Sequence, residues 1–312
     1  MGLYAETDQL DTLRTLVRMM HDVPVTAITM TFDETGLRIT AIDANESILV
    51  HVRLFADAFF TQTSPSLKND AAGPSSDSRR YVCDRPLSIE IDLLHLHAIL
   101  EPLEGSSGYT IAFQIRDHDP PALGVIVTND SERIWFHYRI RGTFQNQNPF
   151  ERTGVRFPEK EEVATVATMR SDDFYRIVQE MRAKSSLIHV RITSDQLQFV
   201  CRGEHVDVQS VVSKTDRGLV YSRPIEMPIE GVYSLDHLHA ISKAFRTNDD
   251  VDLYFRPEFA LVLRYGLSGD AGDVRFGLSD YVSSEEIEGD DAKGDRRTTE
   301  GRTRRETEGI PE

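Results

Sequence analysis

His95-Leu96-His97-Ala98-Ile99 recurs as His237-Leu238-His239-Ala240-Ile241, and this repeated pentapeptide decides how the chain is read. The first copy follows a strand-like run at 87–91, the second follows runs at 225–228 and 231–233. A β-rich stretch comes after each copy, at 109–128 and 251–267. Further upstream the order of elements also matches. Residues 8–22 predict an amphipathic helix with Leu10, Leu13, Val17 and Met20 on one stripe; 171–184 repeat it with Phe174, Ile177, Val178 and Met181 inward. Strand runs at 27–32, 37–42 and 48–54, with Glu34-Thr35-Gly36 as a hairpin turn, have counterparts at 187–193, 196–201 and 205–213. A pentapeptide at the same point in two matching successions marks an internal duplication. The expected architecture is α+β, with two similar domains, each of two helices packed on antiparallel sheets.

Three stretches break the pattern. Residues 61–80, rich in Ser, Pro, Ala and Asp, predict an exposed loop inserted in the first domain. Residues 142–162, with two prolines and little periodicity, read as an interdomain connector. Residues 283–312 carry ten acids, six bases and no aromatic residue, too little apolar surface to offset the entropy of ordering. The expected division is therefore 1–141, connector 142–162, second domain 163–282 and disordered tail 283–312.

Composition narrows the function. The 312 residues hold 35 Lys+Arg against 51 Asp+Glu, a net charge of −16, with 39% hydrophobic and 28% charged residues. No apolar run approaches the roughly 20 residues of a membrane span, and residues 1–13 show no secretory pattern. Cys83 and Cys201, 118 positions apart, are expected as free thiols in a reducing compartment, with the sequons at Asn45 and Asn129 unused. Net acidity disfavours a protein that coats nucleic acid on all sides, but one face can still be positive.

Catalytic signatures are missing from the sequence. There is no phosphate loop, GxSxG, HExxH or CxxC, and the glycines of 266–272 have the wrong spacing for a dinucleotide fingerprint. On a helix, His95 and His97 point about 200° apart and cannot face one ion. Asp43 and Glu46 read as turn chemistry between two strands. The expectation is a non-enzyme with no cofactor and no metal. Basic residues instead lie beside the apolar stripes: Arg14, Arg18 and His21 on the first helix, Arg176, Arg182 and Lys184 on the third, Lys243 and Arg246 on the fourth. The second helix offers His97 and Glu101 in place of a base.

Several motifs, in order, resemble the DNA sliding clamps of the proliferating cell nuclear antigen (PCNA) type. They are Thr35-Gly36-Leu37-Arg38-Ile39-Thr40-Ala41-Ile42-Asp43 with Ser47-Ile48-Leu49-Val50, then Phe157-Pro158-Glu159-Lys160-Glu161, which is similar to the end of that family's connector, and Ser171-Asp172-Asp173-Phe174-Tyr175-Arg176-Ile177, similar to its third helix. The final strands, 260–265 and 274–278, fit as well, so the likeness covers about residues 8–282 without the 61–80 loop.

The resemblance implies a ring, usually a homotrimer, closed around double-stranded DNA, with helices lining the hole and sheets outside. Such a clamp tethers DNA polymerase and other replication or repair enzymes, is placed by a clamp loader, and works inside the cell where DNA is replicated, in the nucleus of a eukaryote or eukaryotic host. By position, Arg14, Arg18, Arg176 and Lys243, then Arg182, Lys184 and Arg246, would meet phosphates. Ring closure would pair the edge strand at 132–140, with Trp135 and His137, against 205–213 of the next subunit, with Val206 and Val208. Trp135 could equally be buried in its own core. Partner peptides, one helical turn with aromatic anchors, would enter a pocket of Ile42, Ser47, Val155, Phe157, Pro158, Phe259, Ala260, Gly277 and Ser279. Gly277 stands where the family commonly has an aromatic residue, and Ser279-Asp280 replaces its Ala-Pro. Two alternatives stay open: a subunit of a heterotrimeric, checkpoint-type clamp, and a monomeric processivity factor that holds DNA on an open face.

Overall fold

The computed structural model describes residues 2–60, 81–103, 108–115, 121–129, 133–145, 157, 165–215, 218–225, 227–255 and 261–280. The expected loop at 61–80, most of the connector and the charged tail lie outside the described residues. The first half runs β1 (Leu3–Thr7), α1 (Leu10–Asp22), β2 (Ala27–Asp33), β3 (Gly36–Ile42), β4 (Ile48–Phe55), the one-turn α2 (Ala56–Phe59), β5 (Tyr81–Cys83), β6 (Leu87–Asp92), α3 (Leu93–Leu100), β7 (Tyr109–Ile115), β8 (Ala122–Asn129) and β9 (Ile134–Phe144). The second half runs β10 (Thr165–Arg170), α4 (Ser171–Arg182), β11 (Leu187–Ile192), β12 (Gln196–Arg202), β13 (Asp207–Ser213), β14 (Val220–Tyr221), β15 (Ile229–Ser234), α5 (Leu235–Ala244), β16 (Asp250–Phe255), β17 (Leu261–Gly266) and β18 (Gly272–Leu278).

The duplication holds at the level of strand register. Ala5 of β1 lies between Tyr81 and Phe113; Ala167 of β10 lies between Tyr221 and Leu253. Met30 of β2 lies between Ile39 and Ile89; Val190 of β11 lies between Phe199 and Gly231. All these pairs are antiparallel, so hairpins and short crossovers suffice to connect them. Gly36 closes the β2–β3 turn at φ +137°, where a Cβ would meet the Leu54 carbonyl oxygen at 2.0 Å; Asp33 accepts the Thr35 N–H at 2.8 Å. Two details differ from the expected strands. Residues 225–228 form no strand among the described residues, because Pro228 has no N–H for a ladder and β15 begins after it. Strand β1 carries too short an alternation to stand out in sequence, yet it pairs on both sides.

Fourteen strands join in the order β14-β10-β16-β17-β18-β4-β3-β2-β6-β9-β8-β7-β1-β5, and four more in the order β13-β12-β11-β15. The halves are fused where β18 pairs with β4, from Gly272↔Leu54 to Leu278↔Ile48. Helices α1 and α3 pack together over the first half and α4 and α5 over the second, with α1 touching α5 across the junction. The apolar stripe of α1 buries Leu10, Leu13, Leu16, Val17, Met19 and Met20; that of α4 buries Phe174, Val178 and Met181. One continuous core results, and its burial supplies the main driving force for the fold.

Candidate nucleic-acid and partner interfaces

The outward faces of the helices hold most of the expected basic residues, but nearly all are paired with carboxylates beside them. Arg18 reaches Glu101 at 3.3 Å, Arg182 reaches Asp236 at 2.8 Å and Lys184 reaches Glu180 at 3.7 Å. Arg176 sits 2.5 Å from Asp172, and Arg246 shares that carboxylate at 3.8 Å while lying 5.0 Å over the Tyr175 ring. Lys243 is in no ion pair among the described residues. Arg14 departs from expectation: it is only 9% exposed, with Asp11 at 3.4 Å. Its place follows from helical period, since position 14 lies four residues after Leu10 and three before Val17, inside the buried stripe. A side chain so placed does not present itself to an external phosphate.

The second histidine of each pentapeptide bridges a helix pair. His97 of α3 stacks on His21 of α1, with ring centroids 4.2 Å apart and planes 12° apart, and meets Glu101 at 3.0 Å. His239 of α5 lies 5.9 Å from the Tyr175 ring of α4 and 3.4 Å from Arg182. Burial, aided by the charges of Arg182 and Lys243, holds His239 below its ordinary pKa. His95 instead turns outward toward Asp92, and no cluster of three metal-type ligands occurs among the described residues. The Asp43 carboxylate is occupied with its turn, accepting the Ile48 N–H at 2.7 Å and the Ser47 hydroxyl at 2.8 Å.

Among the described residues, β9 and β13 each leave a long stretch of strand edge open. Strand β9 pairs with β8 along Ile134–Arg141 and with β6 only at Gly142–Phe144. On β13 only the side facing β12 is paired. Trp135 is 68% exposed, so it is not buried in its own core. The sequence reading missed its neighbours: Ile134, Phe136 and Tyr138 are exposed too, and Phe136 stacks on Tyr138 at 6.1 Å. The unbroken apolar run Ile134-Trp135-Phe136 was the available signal, because a strand with apolar residues on both faces needs cover on both. On β13 the exposed apolar residue is Val211, with Val206 just before the strand; Val208 is half-buried against the core.

The expected peptide pocket is centred on a small apolar cluster separate from the main core: Leu49, Phe157, Val166, Tyr254 and Val262, with Ile42 at its margin. Gly277 lies under the Phe157 ring, and Ser279 is tied to Ser47, donating its N–H to the Ser47 carbonyl at 3.1 Å. Val155, Pro158, Phe259 and Ala260 lie outside the described residues. Asp280 accepts the Val232 N–H at 3.2 Å, giving the Ser-Asp pair a structural task at the β15 edge. The sequence reading also missed His51, whose ring stacks on Phe157 at 5.7 Å. Burial, with the charges of Arg53 and Arg275, lowers its pKa to about 4. Beside it Asp273, 3% exposed, meets Arg53 at 2.5 Å, Arg275 at 3.5 Å and Arg264 at 3.6 Å.

Residues 157–280 match the family model described as the C-terminal domain of proliferating cell nuclear antigen. A probable DNA polymerase sliding clamp of Paramecium bursaria Chlorella virus 1 is 20% identical over 86% of this chain and 91% of its own length. The proliferating cell nuclear antigen of Chaetomium thermophilum is 24% identical over 91% of this chain and its own entire length. That of Saccharomyces cerevisiae is 22% identical over 81% of this chain and 88% of its own.

Proposed function

We propose that the chain, similar to the sliding clamps and proliferating cell nuclear antigens above, is itself such a clamp and acts as a polymerase processivity factor: a ring of identical subunits around duplex DNA. In this reading the domains are 1–141 and 163–282, joined by the connector 142–162 and followed by the tail 283–312. The role is mechanical, not enzymatic, and is exercised inside the cell where DNA is replicated. A loader opens the ring, and DNA polymerase and other clamp-binding proteins dock by short peptides at the Phe157 pocket. Tethering converts their weak DNA binding into a local, high-concentration event.

The single observation that carries this reading is the pair of open edges. Within the chain, β18 pairs with β4. By register, β9 is the first-half counterpart of β18, since Val125↔Tyr138 matches Leu263↔Phe276, and β13 is the counterpart of β4, since Ile39↔Val52 matches Phe199↔Ser210. Phe276 faces Val50 across the internal junction. Carried over to two copies, the same rule sets Tyr138 opposite Val208, Trp135 opposite Val211 and Phe136 opposite Ser210. One chain thus offers both halves of a head-to-tail junction, and such junctions close into rings when the rotation permits.

The helix faces fit a sliding contact. Lys243, Arg18, Arg176, Arg182, Lys184 and Arg246 are candidates for phosphate contact, and the carboxylate partners of the last five make their contact weak and exchangeable. Light scattering during gel filtration tests the assembly. Three chains of 35.4 kDa give about 106 kDa, and a mass of one chain would overturn the homotrimer.

A further inference from the structure

The duplication sets the two helix pairs on one another residue by residue. Laying the buried stripe Leu10, Leu13, Val17 and Met20 of α1 on Ser171, Phe174, Val178 and Met181 of α4 places His21 where α4 has Arg182. The pentapeptides lay α3 on α5, and one turn further Glu101 falls where α5 has Lys243. Contacts agree with this alignment. His21 stacks on His97 with centroids 4.2 Å apart, and Arg182 comes within 3.4 Å of His239, the counterpart of His97. At two equivalent positions the second half therefore holds permanent cations, where the first half holds an imidazole and a carboxylate. Packing does not demand the exchange, since His21 is exposed and the Glu101 side chain is 47% exposed. Around the first pair the fixed charges cancel: Glu101 meets Arg18 at 3.3 Å and His97 at 3.0 Å. Two stacked imidazoles repel once both are protonated, unless an anion stands beside each. Glu101 serves His97, and His21 lies in solvent, where a second anion can reach it.

We propose that His21 and His97 form a proton-dependent phosphate contact and that Arg182 and Lys243 form its permanent counterpart, so that each chain grips duplex DNA with one titratable half and one fixed half. This rests on the reading that the helix faces line a hole around DNA. Imidazole is the side chain whose charge changes across the range from pH 8 to pH 6. With both rings neutral, the first half offers a phosphate only Arg18, already offset by Glu101. Each proton taken up adds a cation beside the phosphate, and by reciprocity the bound phosphate favours that uptake. Grip therefore tightens as pH falls. Other charged or titratable groups stand on the elements packed here: Arg18 and Asp22 on α1, Asp92 and His95 on α3, Asp236, His237, His239 and Lys243 on α5, and Tyr109, His137, Tyr138, Arg139 and Arg141 on β7 and β9. Substitution at the pair itself separates its response from theirs.

Anisotropy of a fluorescein-labelled duplex of about 30 base pairs tests the proposal, at one low salt concentration and at about pH 8 and pH 6. The proteins are the full chain and its H21Q/H97Q, H21R/E101K and R182A/K243A variants, each checked for folding by thermal unfolding at both pH values. The full chain is expected to bind about tenfold more tightly at the lower pH. H21Q/H97Q should narrow that ratio to less than about threefold. If this double variant does not fold, H21Q reports instead, with a smaller narrowing. H21R/E101K, which carries the second half's residues in the first, should bind about tenfold more tightly than the original at the higher pH. R182A/K243A should weaken binding at both pH values alike and keep the ratio. A full chain that binds equally at both pH values, an unchanged ratio in the histidine variants, or H21R/E101K no tighter than the original at the higher pH overturns the proposal and leaves DNA binding in place. If the full chain does not bind the duplex at either pH, the reading of the helix faces fails and the proposal falls with it.

Discussion

Asp273 is almost wholly buried and still charged, because three guanidinium groups surround it. Burial alone would raise its pKa; the Arg53 hydrogen bonds and the charges of Arg275, Arg53 and Arg264 outweigh that and lower it. Stability from this carboxylate is therefore present above the ordinary value of 3.8 and lost as pH falls through its lowered folded value. Asp273→Asn leaves those arginines without their shared anion, and urea unfolding is expected to show a loss of about 3 kcal/mol. His51 makes stability fall with pH in the same direction, for a different reason. With a folded pKa of about 4 against an ordinary 6.5, it stays neutral while the unfolded chain takes up a proton. Stability should thus decline as pH falls from about 6.5 toward 4, His51→Gln should flatten that slope, and the ring protons of His51 should titrate near pH 4 by NMR. None of this was legible in the sequence: Arg53 and Asp273 are 220 positions apart and meet only because β18 pairs with β4.

The helices divide into two kinds by how they begin. Each pentapeptide helix has a side-chain cap: Asp92 accepts the Leu94 N–H at 2.8 Å on α3, and Ser234 accepts the His237 N–H at 3.4 Å on α5. Helices α1 and α4 have none and rely on their wide buried stripes. Asp92→Ala and Ser234→Ala should each lower stability by about 1 kcal/mol in thermal melts, the shorter α3 responding more strongly. Elements with long periodic patterns, α1, α4 and the central hairpins, were readable from sequence. Strands β1 and β14 were not, since a short edge strand is defined by distant partners. Arg14 was misplaced for a related reason: its charge drew it to the surface in the reading, while the 3.6-residue period of α1 puts it among Leu10, Leu13 and Val17.

At the scale of the molecule, duplication leaves one junction made and one waiting. The β4–β18 pairing inside the chain is the template, and in the proposed ring β9 and β13 would be the two halves of the same joint between copies. Phe136 lies on the exposed part of β9, so Phe136→Asp should leave the single chain folded. Its carboxylate would be buried opposite Ser210 of the next copy, and light scattering is expected to move from about 106 kDa to the 35.4 kDa of one chain. The duplication was legible in the pentapeptides, and the open edges were expected at 132–140 and 205–213. The aromatic content of the joint was visible only when Ile134, Phe136 and Tyr138 were seen uncovered. The most direct measurement is retention on linear duplex DNA tethered at one end, with the free end blocked by a bulky protein after the clamp has threaded on. A ring held by topology stays through washes at high salt and leaves when the DNA is cut internally to expose a new end. Release by salt alone, at the same rate with the end open or blocked, would contradict encirclement.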